Sequence, residues 1–187
     1  MHLLAIVALY ISATSFGILI FQFIDVWFPD PLTDVYFRPY GPIRWAIASL
    51  VIVFPVYVWI SWRLAKDVTA TPAKRDLRIR KWLSYFTIFA ASAVIIGDLV
   101  ALIYNFLGGD LSSRFLLKVA AVLVIAAAVF VYYFWLLRSV QPVLRHPKMK
   151  IFAAAVIATV TASVVYGFIA VGSPFRERLR RFDERKV

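Results

Sequence analysis

Nearly all the charge in this chain is confined to short segments between five long apolar stretches, at about 3–25, 43–65, 82–107, 115–137 and 151–172. Each holds about 20 or more residues, the number a helix rising ~1.5 Å per residue needs to cross ~30 Å of hydrocarbon. A helix bordering water carries a polar residue every third or fourth position on one face, and most faces of these stretches carry none. The expected fold is all-α: a transmembrane bundle of five helices forming one domain over 1–172, followed by a basic tail, 173–187. The apolar fraction of 63% and mean hydropathy of +0.82 lie far above the ~45–50% apolar content of soluble domains.

Composition removes several kinds of chemistry. The chain has no cysteine, so disulfides, thiolate metal sites, iron–sulfur clusters and thiol catalysis are excluded. Its two histidines, His2 and His146, lie at the N-terminus and in a basic loop, which leaves no pair to hold a haem inside the bundle. No Ser/His/Asp set, G-x-S-x-G, phosphate loop or His-rich metal spacing is present, so no enzyme activity and no cofactor are expected.

The net charge of +11 is a matter of topology. Arg63, Lys66, Lys74, Arg75, Arg78, Arg80 and Lys81 crowd the link between the second and third stretches, and Arg138, Arg145, Lys148 and Lys150 the link between the fourth and fifth. The other two links carry Asp25, Asp30, Asp34 and Asp110 against Arg38, Arg44 and Arg114. Basic loops stay cytoplasmic, which gives an N-in, C-out orientation. The tail opposes this, because it emerges outside while holding Arg176, Arg178, Arg180, Arg181, Arg185 and Lys186; two internal loops outweigh one tail. The 63–81 loop is expected to touch anionic headgroups. It is not expected to bind nucleic acid, since no base-stacking aromatics are interleaved with its charges. The first stretch lacks a basic n-region and exceeds the usual ~7–15-residue signal core, so it reads as an uncleaved span.

Local signals mark the boundaries. Phe28-Pro29-Asp30-Pro31 and Arg38-Pro39-Tyr40-Gly41-Pro42 break the helix around the first external loop, where Trp27, Phe28, Tyr36, Phe37, Tyr40 and Trp45 suit an aromatic belt. Gly108-Gly109-Asp110 forms a tight turn that makes spans three and four antiparallel neighbours. Pro142 and Pro147 close the fourth span and open the fifth. Ser173-Pro174 suits a helix start, and Phe175, Leu179 and Phe182 then give the tail an amphipathic face at the membrane surface. Pro55 removes a backbone donor in mid-span and predicts a kink, either a static one or a moving part of a gate.

The polar groups inside the spans fall into two layers. Along span three, Ser84, Thr87, Ala91, Val94, Asp98, Ala101 and Asn105 share one small, polar face that belongs toward other helices, while Ile95 and Leu102 fall on the other faces. Asp98 lies roughly 13 Å inside the outer end at ~1.5 Å per residue. Ser15, Ser163 and Thr161 lie near that depth and offer hydroxyls to its carboxyl. A charged Asp there costs on the order of 3 kcal/mol and needs partners, water or a proton. Asp98 therefore either handles a proton or cation or glues helices together. A shallower layer holds Gln22, Asp25, Asn105 and Lys118, with Arg44 and Arg114. Helical side chains lean toward their own N-terminus, so Lys118 leans outward, away from Asp98, and either snorkels to the interface or meets Asn105 or Asp25.

Several strings together carry a likeness: Ile20-Phe21-Gln22-Phe23-Ile24-Asp25 with Phe28-Pro29-Asp30, Ala46-Ile47-Ala48-Ser49-Leu50 with Phe54-Pro55-Val56-Tyr57, and Tyr104-Asn105-Phe106-Leu107-Gly108-Gly109-Asp110 running into Arg114-Phe115-Leu116-Leu117-Lys118. Gly172-Ser173-Pro174 leading to Arg181-Phe182-Asp183-Glu184-Arg185 completes the set. The chain resembles, over nearly its whole length, an uncharacterised family of bacterial multi-pass membrane domains, a domain of unknown function associated with uncultivated bacteria of small genome. The resemblance implies a bacterial cytoplasmic membrane location. It also implies a polar region after Phe-Asp-Glu-Arg, so the tail is expected to begin an extracytoplasmic segment. Two functions stand side by side: a membrane anchor or scaffold for that extension, for partner proteins or for copies of the chain, and a small channel or transporter whose path passes Asp98. The alanine runs 126–128 and 153–155 would permit close helix contact in either.

Overall fold

The computed structural model describes residues 1–28, 41–70, 78–109, 111–138 and 147–171. Five helices account for nearly all of them: α1 (His2–Trp27), α2 (Gly41–Ala70), α3 (Arg78–Gly108), α4 (Ser113–Arg138) and α5 (Pro147–Val171). All five are long and apolar enough to cross a membrane, and no strand occurs among the described residues. The expected all-α, five-helix fold is therefore the observed one, and the chain is by length and composition a membrane protein. The expectations for the loop at 29–40, for 71–77 of the basic loop, for Asp110 and Pro142, and for the tail at 173–187 lie outside the described residues.

The helices overrun the apolar stretches at most ends, α2 and α3 by the most. α2 continues through Arg63, Lys66 and Asp67, because a helix that has closed its backbone bonds in hydrocarbon loses nothing by closing a further turn where long side chains reach the interface. Arg63 lies over the ring of Trp59 at 4.8 Å, Lys66 over Trp62 at 5.5 Å and Arg138 over Phe134 at 5.5 Å. In each pair the cation is one turn beyond the aromatic residue and leans back over it, as helical side chains do. Pro55 stands on an exposed face of α2, which runs unbroken from Gly41 to Ala70.

The α3–α4 connection forms as its glycines require. Gly109 takes φ +77, a conformation a side chain disfavours, and its N–H donates to Phe106 O at 3.2 Å. Ser112 then caps α4, its Oγ accepting the Phe115 N–H at 3.2 Å. The resulting hairpin packs along its length, as does that of α1 on α2. α1 is the hub, since it alone touches all four other helices. α5 leans on α2 and more lightly on α1.

The tightest packing is at the junction of α1, α2 and α5, where Leu19, Phe23, Ile43, Ala46, Ile47, Leu50 and Val160 form the buried core. Gly167 lets α5 approach closely here: a Cβ at this position would meet Ile47 Cδ1 at 2.9 Å and Leu19 Cδ1 at 3.4 Å. Gly167→Leu is expected to push α5 off this junction and lower stability in detergent by about 1–3 kcal/mol. Gly167→Ala, which needs the Ile47 side chain to shift at Cδ1 and Cγ1, is expected to cost less than half as much. Denaturant titration followed by circular dichroism measures both.

Candidate functional site

Opposite charges meet at the end of the bundle that holds the C-terminus of α1 and the N-terminus of α4. Asp25 Oδ1 lies 2.6 Å from Arg114 Nε and 2.6 Å from Lys118 Nζ. Arg114 and Lys118 are four residues apart on α4, so both point at the same spot on α1. Lys118 leans toward the start of its helix, as its direction predicts, and its ammonium also lies 5.5 Å from the centre of the Phe21 ring. All three side chains are about one-quarter exposed, which suits a charge cluster near the headgroups. Of the other shallow-layer residues, Asn105 donates from Nδ2 to Ala101 O of its own helix at 2.8 Å. Gln22 is half-buried on α1.

In the deeper layer two polar atoms, one on Ser15 and one on Asp98, are buried without a hydrogen-bond partner among the described residues. Ser15 is fully buried and its Oγ makes no hydrogen bond among the described residues. Asp98 is half-buried; its Oδ2 is occluded yet has no partner there either. Ser163 is half-buried and Thr161 exposed. Neighbouring hydroxyls are satisfied by their own helices: Thr14 donates to Tyr10 O at 2.8 Å, Thr87 to Leu83 O at 2.9 Å and Thr159 to Ala155 O at 2.9 Å. The inward face of α3 also differs from the one expected. Ser84, Thr87 and Ala91 are buried, but Val94 and Ala101 are exposed while Ile95 and Leu102 are half-buried. A straight 3.6-residue helix drifts from a three-and-four pattern, and the packed stripe here advances by one residue beyond Ala91.

Two polar groupings were not evident from spacing alone. Between mid-depth and the basic end the hydroxyls of Tyr57, Ser61 and Tyr133 are hydrogen-bonded, with Tyr57 between the other two, and Tyr132 packs edge-on against Tyr133. Tyr57 and Ser61 are one turn apart on α2, a signal that identifies one face but not its partner. At the other end Trp27 Nε1 donates to the Tyr166 hydroxyl at 3.1 Å, and Phe23 meets the same ring edge-on. This contact ties α1 to α5 at the level expected for an aromatic belt.

Between α4 and α5 the bundle is open. A cleft of about 620 Å³ extends from Lys150 and Ala65 at the basic end to Phe16 and Val160 near mid-depth, and its walls are almost wholly apolar. Its origin is in the side chains: Ala128 on α4 and Ala153, Ala154 and Ala155 on α5 all line it and are too short to fill the gap. The second alanine run thus borders a void, whereas in the first only Ala128 does and Ala126 is buried. None of Asp98, Ser15, Ser163 or Thr161 lines it, but Tyr57, Ser61 and Tyr133 do. No group of three metal-ligating side chains occurs among the described residues.

The model of a family described as a domain of unknown function (DUF5671) matches residues 1–133, and the chain belongs to that family. The match covers α1, α2, α3 and α4 as far as Tyr133, so α5 lies beyond it. No curated protein and no solved structure matches the chain.

The Asp25 cluster is expected to act as a clamp between α1 and α4. Asp25→Ala, which leaves two cations facing each other, should destabilise the protein by about 1.5–3 kcal/mol in detergent. Arg114→Ala and Lys118→Ala should each cost less, because the remaining cation keeps the carboxylate paired. Thermal unfolding of all three single variants and of the Arg114/Lys118 double variant tests this: a double-variant loss equal to the sum of the singles would show that the cations do not share Asp25.

Proposed function

We propose that this member of the DUF5671 family is a membrane scaffold module that assembles with further copies of itself through the outer half of α3. The observation that carries the reading is Asp98. It lies ten residues before the end of α3 at Gly108, about 15 Å deep at ~1.5 Å per residue. One carboxyl oxygen is shielded but unbonded among the described residues, and Val94, Ile96, Val100, Ile103 and Tyr104 around it are exposed. An intramembrane carboxyl costs on the order of 3 kcal/mol unless a helix supplies hydrogen bonds, and a neighbouring span is a suitable source. The orientation that goes with this reading places the basic end in the cytoplasm. Single cysteines introduced at Lys148 and Leu111 of this cysteine-free chain should then label from opposite sides of sealed vesicles.

The alternative is a channel or transporter with Asp98 handling a proton or cation; the carboxyl itself favours it. Against it stands the cleft, which follows a different route through the bundle. Dilution of fluorescently labelled protein in lipid vesicles, with association read by energy transfer, distinguishes the two. Asp98→Leu should weaken association roughly 3–20-fold, the range that one intramembrane hydrogen bond supports, with Asp98→Asn intermediate. Unchanged association in Asp98→Leu would refute the scaffold reading. Proton flux above background in the parent and lost in Asp98→Asn would establish the alternative.

A further inference from the structure

The open side of the bundle has the dimensions of a single lipid chain. Its lining runs on α5 from Met149 to Val160 and on α2 from Phe54 to Ala65. Eleven residue steps in each case give about 16 Å at ~1.5 Å per residue, close to the thickness of one leaflet in a hydrocarbon layer of ~30 Å. The volume of about 620 Å³ is within the ~300–1,000 Å³ of small-molecule sites. The cleft is entered from the side: α4 and α5 do not pack along each other, and Trp62, Val124 and Ile157 on its walls are exposed. A groove of this kind does not stay empty in a bilayer, because apolar walls without neighbours forfeit their dispersion contacts.

The ends of the groove differ. Near mid-depth the walls are mainly Phe16, Phe54 and Val160, with the uncharged hydroxyls of Ser12 and Thr159 as the polar residues among them. At the basic end Lys150 belongs to the lining, and Lys66 lies over the ring of Trp62, itself a lining residue. Tyr57, Ser61 and Tyr133 also belong to the lining, their hydroxyls bonded to one another. Among the described residues no carboxylate lines the cleft. An occupant complementary to these walls has an apolar chain one leaflet long and a negatively charged head at the level of Lys150.

We propose that the α4–α5 cleft is a binding site for one acidic phospholipid, its acyl chain lying between the alanine faces and its phosphate at Lys150. The site is formed by α5 against the family-matched helices, and it does not depend on self-association through α3. The charge at Lys150 selects the head, and the short side chains admit the tail. Phosphatidylcholine, with the same chains and no net charge, fits the groove but lacks the attraction.

The full chain is reconstituted in nanodiscs of equal phosphatidylglycerol and phosphatidylcholine, released into detergent and weighed with its retained lipids by native mass spectrometry. The parent should keep one lipid per chain, predominantly phosphatidylglycerol. Lys150→Gln should lower the preference about fivefold, the worth of one cation at a lipid surface. Lys148→Gln, which is at the same end but outside the lining, should leave it unchanged. Ala153→Phe should expel lipids of either class, and helical content by circular dichroism verifies that it folds. Equal retention of the two lipids by the parent, no retained lipid, or equal losses in the two lysine variants would each overturn the proposal. The last result would mean a diffuse surface charge instead of a site. Should Ala153→Phe fail to fold, the two lysine variants decide the matter.

Discussion

In hydrocarbon there is no water to bond a free N–H or C=O, and no gain from hiding one leucine against another in preference to a lipid tail. The first condition makes every span of this chain a helix. The second makes the packing of those helices depend on shape and on the few polar groups available. The architecture follows from this pairing. α1 and α2 touch closely, with Ala46 and Leu50 set against Leu19 and Phe23, and Gly167 brings α5 within reach of Ile47. Where the small residues on two helices do not interlock, as along α4 and α5, nothing draws the helices together and a cleft remains.

Polar groups in this bundle are placed according to what can satisfy them. Several mid-span hydroxyls, those of Thr14, Thr87, Ser92 and Thr159, bond back to their own helices, and so contribute nothing to holding one helix on another, while those of Ser12 and Ser15 are buried without a partner among the described residues. Groups able to join helices lie nearer the two ends. Asp25 with Arg114 and Lys118, and Trp27 with Tyr166, close one end, while Tyr57, Ser61 and Tyr133 join helices between mid-depth and the other. Asp98 departs from both habits, since a carboxyl has no N–H or O–H of its own to donate to a backbone carbonyl while it is charged. Its buried oxygen is a feature of α3 that a lipid environment alone does not accommodate.

The family match ends within α4, at Tyr133. The four helices it touches form two packed hairpins joined through α1, whereas α5 rests against α2 and α1. The polar face of α3 and the cleft beside α5 draw on different chemistry: a hydrogen-bond acceptor in one case, and an apolar groove with a cation in the other.

The five spans, their approximate ends, the Gly109 turn and the likeness to a domain of unknown function were legible from residue order, because length and hydropathy alone decide whether a segment can cross hydrocarbon. Lys118 and Asp25 were among the pairings that depth and side-chain direction allowed. What one dimension does not carry is the rotation of each helix about its axis. That rotation decided that Val94 and Ala101 face outward, that Ser15 points away from any partner, that Tyr57 meets Tyr133, and that the alanines of α4 and α5 border an opening. A helix in lipid exposes backbone to no one and gains little from any particular apolar face, so its rotation is set by the neighbours it meets, and those are known only once all five helices are in place.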